Sequence, residues 1–322
     1  MNFKPNIKQL SLGLQMNISE IKEYRNYWLV IGETGKWVAK PIRDGQHHVW
    51  WSDVEQELRN KGFHFFSQSK QVGRWLLSEY IEGECPTYKN REIGIPLMQT
   101  LAQFHTHGQK LNTPPTAQAA YLLSDRLFDR LHDFYHHLIL REDRPEKLVH
   151  LISEYGPIFY QQANETYRTL CALGLPYLAL SSRDGHMLSH RDLANHNWIV
   201  DRNQQVWLID FETAEYDLQI GDVWQICSRI MTEHQWDIHL FQELICSYES
   251  VKPLKDWETQ ILACLFRFPN EFLRETIGIL EKKAGYNEDQ TIPYIEKIAS
   301  DYPIWLQRVG QINTWFRKRK TQ

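Results

Sequence analysis

From Ile18 to Ile42 the chain reads ISEIKEYRNYWLVIGETGKWVAKPI, dense in β-branched and aromatic residues and broken by polar clusters at Tyr24-Arg25-Asn26 and Glu33-Thr34-Gly35. This pattern predicts three antiparallel strands joined by tight turns. In WWSDVEQELRNKGF the period lengthens, and Trp51, Val54, Glu55 and Leu58 share one helical face, with Ser52 or Asp53 as cap and Gly62 as stop. HFFSQSK and RWLLSEYIEG predict two more strands, and Gly83 and Pro86 mark a break in EGECP.

Beyond that break the apolar spacing is helical. Leu97, Met98, Leu101, Ala102 and His105 line one face of a helix expected to run from near Pro96 to Gly108. SDRLFDRLHDFYHHLIL and PEKLVHLISEY through LCALGL are further helical patterns, and from Trp224 to Phe316 helix follows helix, punctuated by Pro253, Pro269, Gly285 and Pro303. One segment interrupts them: NWIV and QVWLID, separated by Asp201-Arg202-Asn203-Gln204, predict a hairpin. The expectation is an α+β protein in two lobes, a small antiparallel β-rich lobe over residues 1–82 and a large, mainly α-helical lobe over residues 83–322.

Composition narrows the class. A hydrophobic fraction of 42%, a charged fraction of 24% and a formal net charge of −4 fit a globular protein and give no reason to expect nucleic acid or an anionic membrane as partner. The one basic run, FRKRK from Phe316 to Lys320, reads as a solvated end. Cys85, Cys171, Cys227, Cys246 and Cys264 are scattered and odd in number, which suits neither a disulfide framework nor a zinc site. No signal-peptide pattern opens the chain, and no apolar run approaches the ~20 residues of a membrane span, so a cytoplasmic setting is expected. His47-His48 and His136-His137 invite a metal reading, but neighbouring residues face different ways, and solvated histidines are the simpler reading.

The hairpin carries the chemistry. If Val200 pairs with Val206, Asn197 falls opposite Ile209 and Asp210 lies beside it at the open end, with Asp192 in the entering loop. Oxygen donors from an amide and a carboxylate suit Mg²⁺, and a further carboxylate can orient a hydroxyl and accept its proton during phosphoryl transfer. His190-Arg191-Asp192-Leu193-Ala194-Asn195-His196-Asn197 matches the kinase catalytic loop at each fixed position, and Asp210-Phe211 stands where the metal-binding Asp-Phe-Gly belongs. Upstream, KWVAKPI places Lys40 on a strand, as the phosphate-binding lysine of V-A-I-K is. An inward Glu55 is costly unless paired, so it is expected to hold Lys40, with Glu57 or Asp53 as substitutes.

On these residues the chain resembles the protein-kinase-like fold, and more closely the aminoglycoside phosphotransferase and choline kinase group. LLSEYIEGE resembles that group's linker between lobes and LMQTLAQFHTHG its first large-lobe helix. Glu212 replaces the kinase glycine after Asp210-Phe211, and no A-P-E segment follows. YDLQIGDVWQI and FRFPNEFLR are most similar to the bacterial spore coat protein S family of kinase-like proteins.

The resemblance implies ATP and Mg²⁺ as cofactors. Adenine would bind the backbone of Glu79 and Ile81, Lys40 the α/β-phosphates, and Asn197 and Asp210 the metal. Asp192 would be the base within His190-Arg191-Asp192, Arg191 a support of the loop, and Asp222 its brace through backbone hydrogen bonds. Glu212 would assist a second metal or cap the next turn. The phosphate-covering turn, EYRNY, lacks glycine; Asn26 is expected to take the left-handed geometry and Arg25 to supply charge. The partners implied are a nucleotide and a hydroxyl-bearing small molecule or coat protein. The alternatives are a structural spore coat component that keeps the fold with little catalysis, or a kinase acting on coat proteins.

Overall fold

In a computed structural model the protein is described over residues 4–42, 45–116, 121–139 and 146–319. Lys320 of the basic tail falls outside these residues.

The small lobe begins with a short helix, α1 (Ile7–Leu14), that the strand pattern does not announce. Strands β1 (Ile18–Tyr24), β2 (Tyr27–Gly32) and β3 (Gly35–Pro41) follow at the expected turns. Helix α2 (Gly45–Asn60) leads to β4 (Ser69–Val72) and β5 (Trp75–Glu79), closing an antiparallel sheet of order β1-β2-β3-β5-β4. Two local expectations are corrected. Ser52 and Asp53 cap nothing, because α2 starts about two turns earlier, at Gly45, although Gly62 does end it with φ +96°. The strand read into HFFSQSK begins only at Ser69; Phe66 instead makes a parallel bridge to Leu208 of the large lobe, and Phe63 and Phe66 are buried in that lobe's core.

The linker strand β6 (Gly83–Glu84) precedes helices α3 (Gly94–His107), α4 (Leu123–Ile139), α5 (Glu146–Ala172) and α6 (Leu175–Asp184). After β7 (Leu188–Ser189), β8 (Trp198–Asp201) and β9 (Val206–Leu208) form the hairpin, and β10 (Glu215–Tyr216) returns to pair with β7. Helices α7 (Ile220–Glu233), α8 (Ile238–Glu249), α9 (Asp256–Leu265), α10 (Asn270–Leu280), α11 (Glu288–Ser300) and α12 (Tyr302–Arg319) complete the large lobe. No helix is long and apolar enough among the described residues to cross a membrane.

Two hydrophobic cores divide the molecule. One holds Ile21, Val30, Ala39, Val72 and Leu77 of the sheet with Leu10 of α1. The other runs through the large lobe and takes in Trp50, Trp51, Val54 and Leu58 of α2. The apolar face of α2 thus packs onto the large lobe while its polar edge meets the sheet. At the joint, Gly83 lies so close to β8 that a Cβ would stand 2.3 Å from the Val200 carbonyl oxygen. This close approach requires glycine there.

Candidate active site

The hairpin register sets the site. Val200 faces Val206, Trp198 faces Leu208, and the Ile209 amide donates to the Asn197 carbonyl at 3.0 Å. Asn197 and Asp210 therefore leave the ribbon at the same end. Asn197 is buried, and its side-chain amide donates to the Asp192 carbonyl at 2.8 Å and to Asp192 Oδ2 at 3.1 Å. This orientation turns the amide oxygen of Asn197 away from Asp192. Asp210 takes left-handed φ of +66°, and its Oδ2 accepts from Lys40 Nζ at 2.8 Å. Phe211, next in sequence, stacks on Trp51 of α2 with ring centroids 4.1 Å apart, which ties the carboxylate's position to the lobe interface.

Helix α7 holds the loop around Asp192. Asp222, 2% exposed, accepts the amides of His190 at 2.6 Å and Arg191 at 2.8 Å. Burial alone would raise its carboxyl, but the hydrogen bonds from His105 and from the His190 amide hold it below the usual range. His105 is completely buried, and burial pushes its pKa down. It is therefore a neutral ring whose Nε2–H donates to Asp222 at 3.1 Å, and whose Nδ1 accepts from the Tyr248 hydroxyl at 2.8 Å. Gln225, one turn further along α7, accepts the Leu193 amide at 2.7 Å. His190 donates from Nε2 to the Ile209 carbonyl at 3.1 Å, linking loop to hairpin. Arg191, at φ +70°, faces away from the cleft, donating to the Tyr121 carbonyl at 2.6 Å and approaching the buried Asp217 at 3.8 Å. Gln225, Asp217 and Arg229 were not singled out from the sequence. For Gln225 and Arg229 the available signal was their spacing of three and seven residues from Asp222.

The small lobe departs from expectation at one pair. Glu55 does turn inward, but it does not hold Lys40. Its carboxylate accepts from the Ser69 amide at 3.1 and 3.2 Å, from the Ser69 hydroxyl and from Arg59 at 3.4 Å. These donors satisfy a carboxylate that burial pushes up in pKa. The substitutes do not reach Lys40 either; Glu57 caps the Asn112 and Thr113 amides at 2.6 and 3.1 Å, and Asp53 is exposed. Lys40 pairs with Asp210 and, at 3.5 Å, with Glu212, beneath the Tyr27 ring at 4.8 Å. Burial would lower the Lys40 ammonium, but these two carboxylates carry it above its ordinary value. Glu212 thus faces Lys40 rather than capping the next turn.

Between the lobes lies a cleft of about 470 Å³ whose walls include Arg25, Lys40, Glu79, Ile81, Asn197 and Asp210. The Glu79 amide is used by the Gln68 carbonyl at 2.8 Å, while the Ile81 amide meets no backbone acceptor among the described residues. The β1–β2 turn corrects a further expectation. Its left-handed residue is Arg25, at φ +54°, and not Asn26. The Arg25 guanidinium lies 3.8 Å from Cys85 Sγ, drawn back toward the linker.

The histidine pairs form no metal cluster among the described residues. His47 meets the Ala214 carbonyl at 2.9 Å, His137 meets Glu281 at 3.3 Å, and His48 is buried rather than solvated. The donors at the hairpin end are the Asn197 amide oxygen and the Asp210 carboxylate, with Asp192 behind. Such hard oxygen ligands suit Mg²⁺, which completes its shell with waters and phosphate oxygens. The ammonium now on Asp210 shows that this carboxylate already favours a cation.

Residues 18–257 match the model of the phosphotransferase enzyme family. Among solved structures, an aminoglycoside phosphotransferase from Alicyclobacillus acidocaldarius superposes with a TM-score of 0.77 at 15% identity, covering 94% of this chain and 93% of that one. A spectinomycin phosphotransferase, solved with ADP and spectinomycin, gives 0.61 at 11% identity, covering 94% and 97%. A choline kinase from Streptococcus pneumoniae gives 0.56 at 14% identity, covering 92% and 97%. At these identities the superpositions establish the kinase-like fold.

Proposed function

This chain belongs to the phosphotransferase enzyme family, and we propose that it transfers the γ-phosphoryl group of ATP, with Mg²⁺, to a hydroxyl group of an acceptor. The observation that carries this reading is the meeting of Lys40 from the small lobe with Asn197 and Asp210 from the large lobe in the lining of the interlobe cleft, with Asp192 hydrogen-bonded to Asn197. In this reading Asn197 and Asp210 hold the metal, whose charge offsets that of the phosphates. Lys40 exchanges Asp210 for the α/β-phosphates, and the backbone of Glu79 and Ile81 receives adenine. Asp192 orients the acceptor hydroxyl and takes its proton. His190, Arg191 and Asp222 keep the loop in place without touching substrate.

Thermal melting with Mg-ATP tests it. The wild type is expected to gain stability, by about 2.7 kcal/mol at a hundredfold excess over Kd, and Asp210→Ala is expected to abolish the gain. A wild type unmoved by millimolar Mg-ATP would sink the proposal.

A second reading, a spore coat component with little catalysis, draws on the β1–β2 turn, only two residues long between paired Tyr24 and Tyr27. The segments that suggest the coat family speak less for it, because Phe266, Phe268, Phe272 and Tyr216 are buried and leave little surface for assembly. Coat localisation, with an Asp192→Asn strain indistinguishable from wild type, would favour this second reading.

A further inference from the structure

Strands β2 and β3 alternate about the plane of the sheet. Trp28 pairs with Ala39, and both side chains join the small-lobe core. Their neighbours on each strand point the other way, so one step along the same register Tyr27 and Lys40 meet on the opposite face. That face is the roof of the interlobe cleft of about 470 Å³, which Tyr27, Val38 and Lys40 all line. The centre of the Tyr27 ring stands 4.8 Å from Lys40 Nζ, close enough for the ring face to attract the ammonium.

Three side chains at the β1–β2 turn line the cleft: Tyr24, Arg25 and Tyr27. Two of them are engaged with each other and with the linker. The Tyr24 ring meets the Tyr80 ring edge-on at 5.7 Å and carries the Arg25 guanidinium at 5.5 Å, and Arg25 in turn reaches Cys85 Sγ. The charged groups nearby are matched as well, Lys40 by Asp210 and Asp192 Oδ1 by Arg229 at 3.7 Å. Tyr27 differs. It is half-buried, and its hydroxyl makes no hydrogen bond among the described residues. A phenol hydroxyl in a cleft wall is a donor ready for a ligand's oxygen. It stands at the start of β2, beside the turn whose glycine-rich counterpart in kinases covers the nucleotide's phosphates.

We infer that Tyr27 is a phosphate-binding residue, whose hydroxyl donates a hydrogen bond to the nucleotide's phosphates beyond the α-phosphate. One side chain then does what backbone amides do in a glycine-rich loop. The inference rests on the phosphotransferase reading, in which Lys40 leaves Asp210 for the phosphates. The Tyr27 ring covers the ammonium on one side, so hydroxyl and ammonium approach the phosphate chain together from one strand pair. The hydroxyl brings a donor and no charge; neutralising the phosphates stays with Lys40 and the metal. A donor to an ionised oxygen is stronger than one to a neutral group, so its loss is measurable.

Titration calorimetry on the wild type and Tyr27→Phe tests this, with a non-hydrolysable ATP analogue plus Mg²⁺ in one arm and AMP in the other. The variant keeps the ring over Lys40 and removes only the hydroxyl. It is expected to bind the analogue about ten- to a hundred-fold more weakly. Binding of AMP, which ends at the α-phosphate, should be little changed. Because the hydroxyl has no partner in the protein, the ligand-free melting point should stay within about 1 °C of wild type. Equal losses on the analogue and on AMP, or no loss on either, would reduce Tyr27 to a cover for Lys40 and overturn the inference. A ligand-free melting point lowered by several degrees would overturn it too, since the hydroxyl would then be serving the fold. Absence of the Mg-ATP shift in the wild type refutes the phosphotransferase reading itself, and the inference with it.

Discussion

Replacing Asp222 by alanine removes one buried carboxylate and strands three donors: the His190 amide, the Arg191 amide and His105 Nε2. Breaking a buried charged network from one side costs about 3–5 kcal/mol. Part of this returns, because the amide bond to Asp222 helps hold Arg191 at φ +70°, a left-handed conformation that costs a non-glycine residue about 1–2 kcal/mol. The net loss is about 1–4 kcal/mol. At about 2.1 cal/mol/K per residue over 322 residues, the unfolding entropy is about 0.7 kcal/mol/K, so melting should fall by about 1–6 °C. Activity should suffer more than stability, since displacing a reacting group by about 1 Å costs on the order of 100-fold. Differential scanning calorimetry and an ADP-release assay read the two effects. The Mg-ATP shift should persist, because Lys40 and Asp210 are placed by β3 and β9 and not by the loop. Melting within about 1 °C of wild type, or an undiminished turnover rate, would refute the claim that Asp222 sets the loop.

Ser69→Ala removes the hydroxyl half of the Glu55 anchorage and spares the amide, so it should cost about 1–2 kcal/mol by chemical denaturation. The Mg-ATP shift should survive, and its loss would return Glu55 to the side of Lys40. Gly83→Ala drives a Cβ into the Val200 carbonyl; a cost of about 1–3 kcal/mol and a raised KM for ATP are expected, and an unchanged KM would separate β6 from nucleotide binding. His105 and His48 are held neutral by burial. Their folded pKa values lie below the unfolded value of about 6.5, so the unfolded chain takes up protons first. The stability that follows is complete above about pH 7 and falls as pH drops through about 6.5, by up to about 1.4 kcal/mol per pH unit for each ring. A melting temperature flat from pH 7 to 5, or a slope that His105→Gln leaves unaltered, would contradict this.

Where the sequence was legible, short-range geometry did the work. The register of β8 and β9 follows from four turn residues and two alternating runs, so the convergence of Asn197 with Asp210 could be read from spacing alone. The inward face of α2 was equally plain, since Glu55 shares it with Trp51, Val54 and Leu58. What Glu55 touches was not, because Ser69 arrives through an intervening loop whose path no local period encodes. The same holds for Lys40, whose acidic partner lies 170 residues away. Phe66 was read as strand because its neighbours are apolar, whereas its burial is against the large lobe. Arg229 gave no signal beyond its spacing from Asp222, as an arginine in a helix is ordinarily a solvated face. Periodicity reveals which side of an element is buried, but it leaves open the partner that approaches from another part of the chain.

The β1–β2 turn shows how a local departure redistributes a task. Kinases cover the phosphates with a glycine-rich loop, whereas here Tyr24 pairs directly with Tyr27, leaving only Arg25 and Asn26 between the strands. The hairpin tip is tied back to the linker by Arg25 against Cys85 and by the Tyr24 and Tyr80 rings, 5.7 Å apart. So short a turn offers few backbone amides to an anion. Under the proposed function, the phosphate charge then falls on Lys40 and on a metal held by Asn197 and Asp210. With so few amides to compensate, the Asp210 carboxylate, the one that meets both Lys40 and the end of the hairpin beside Asn197, carries the larger share. For this reason Asp210→Ala is expected to abolish nucleotide stabilisation rather than to weaken it.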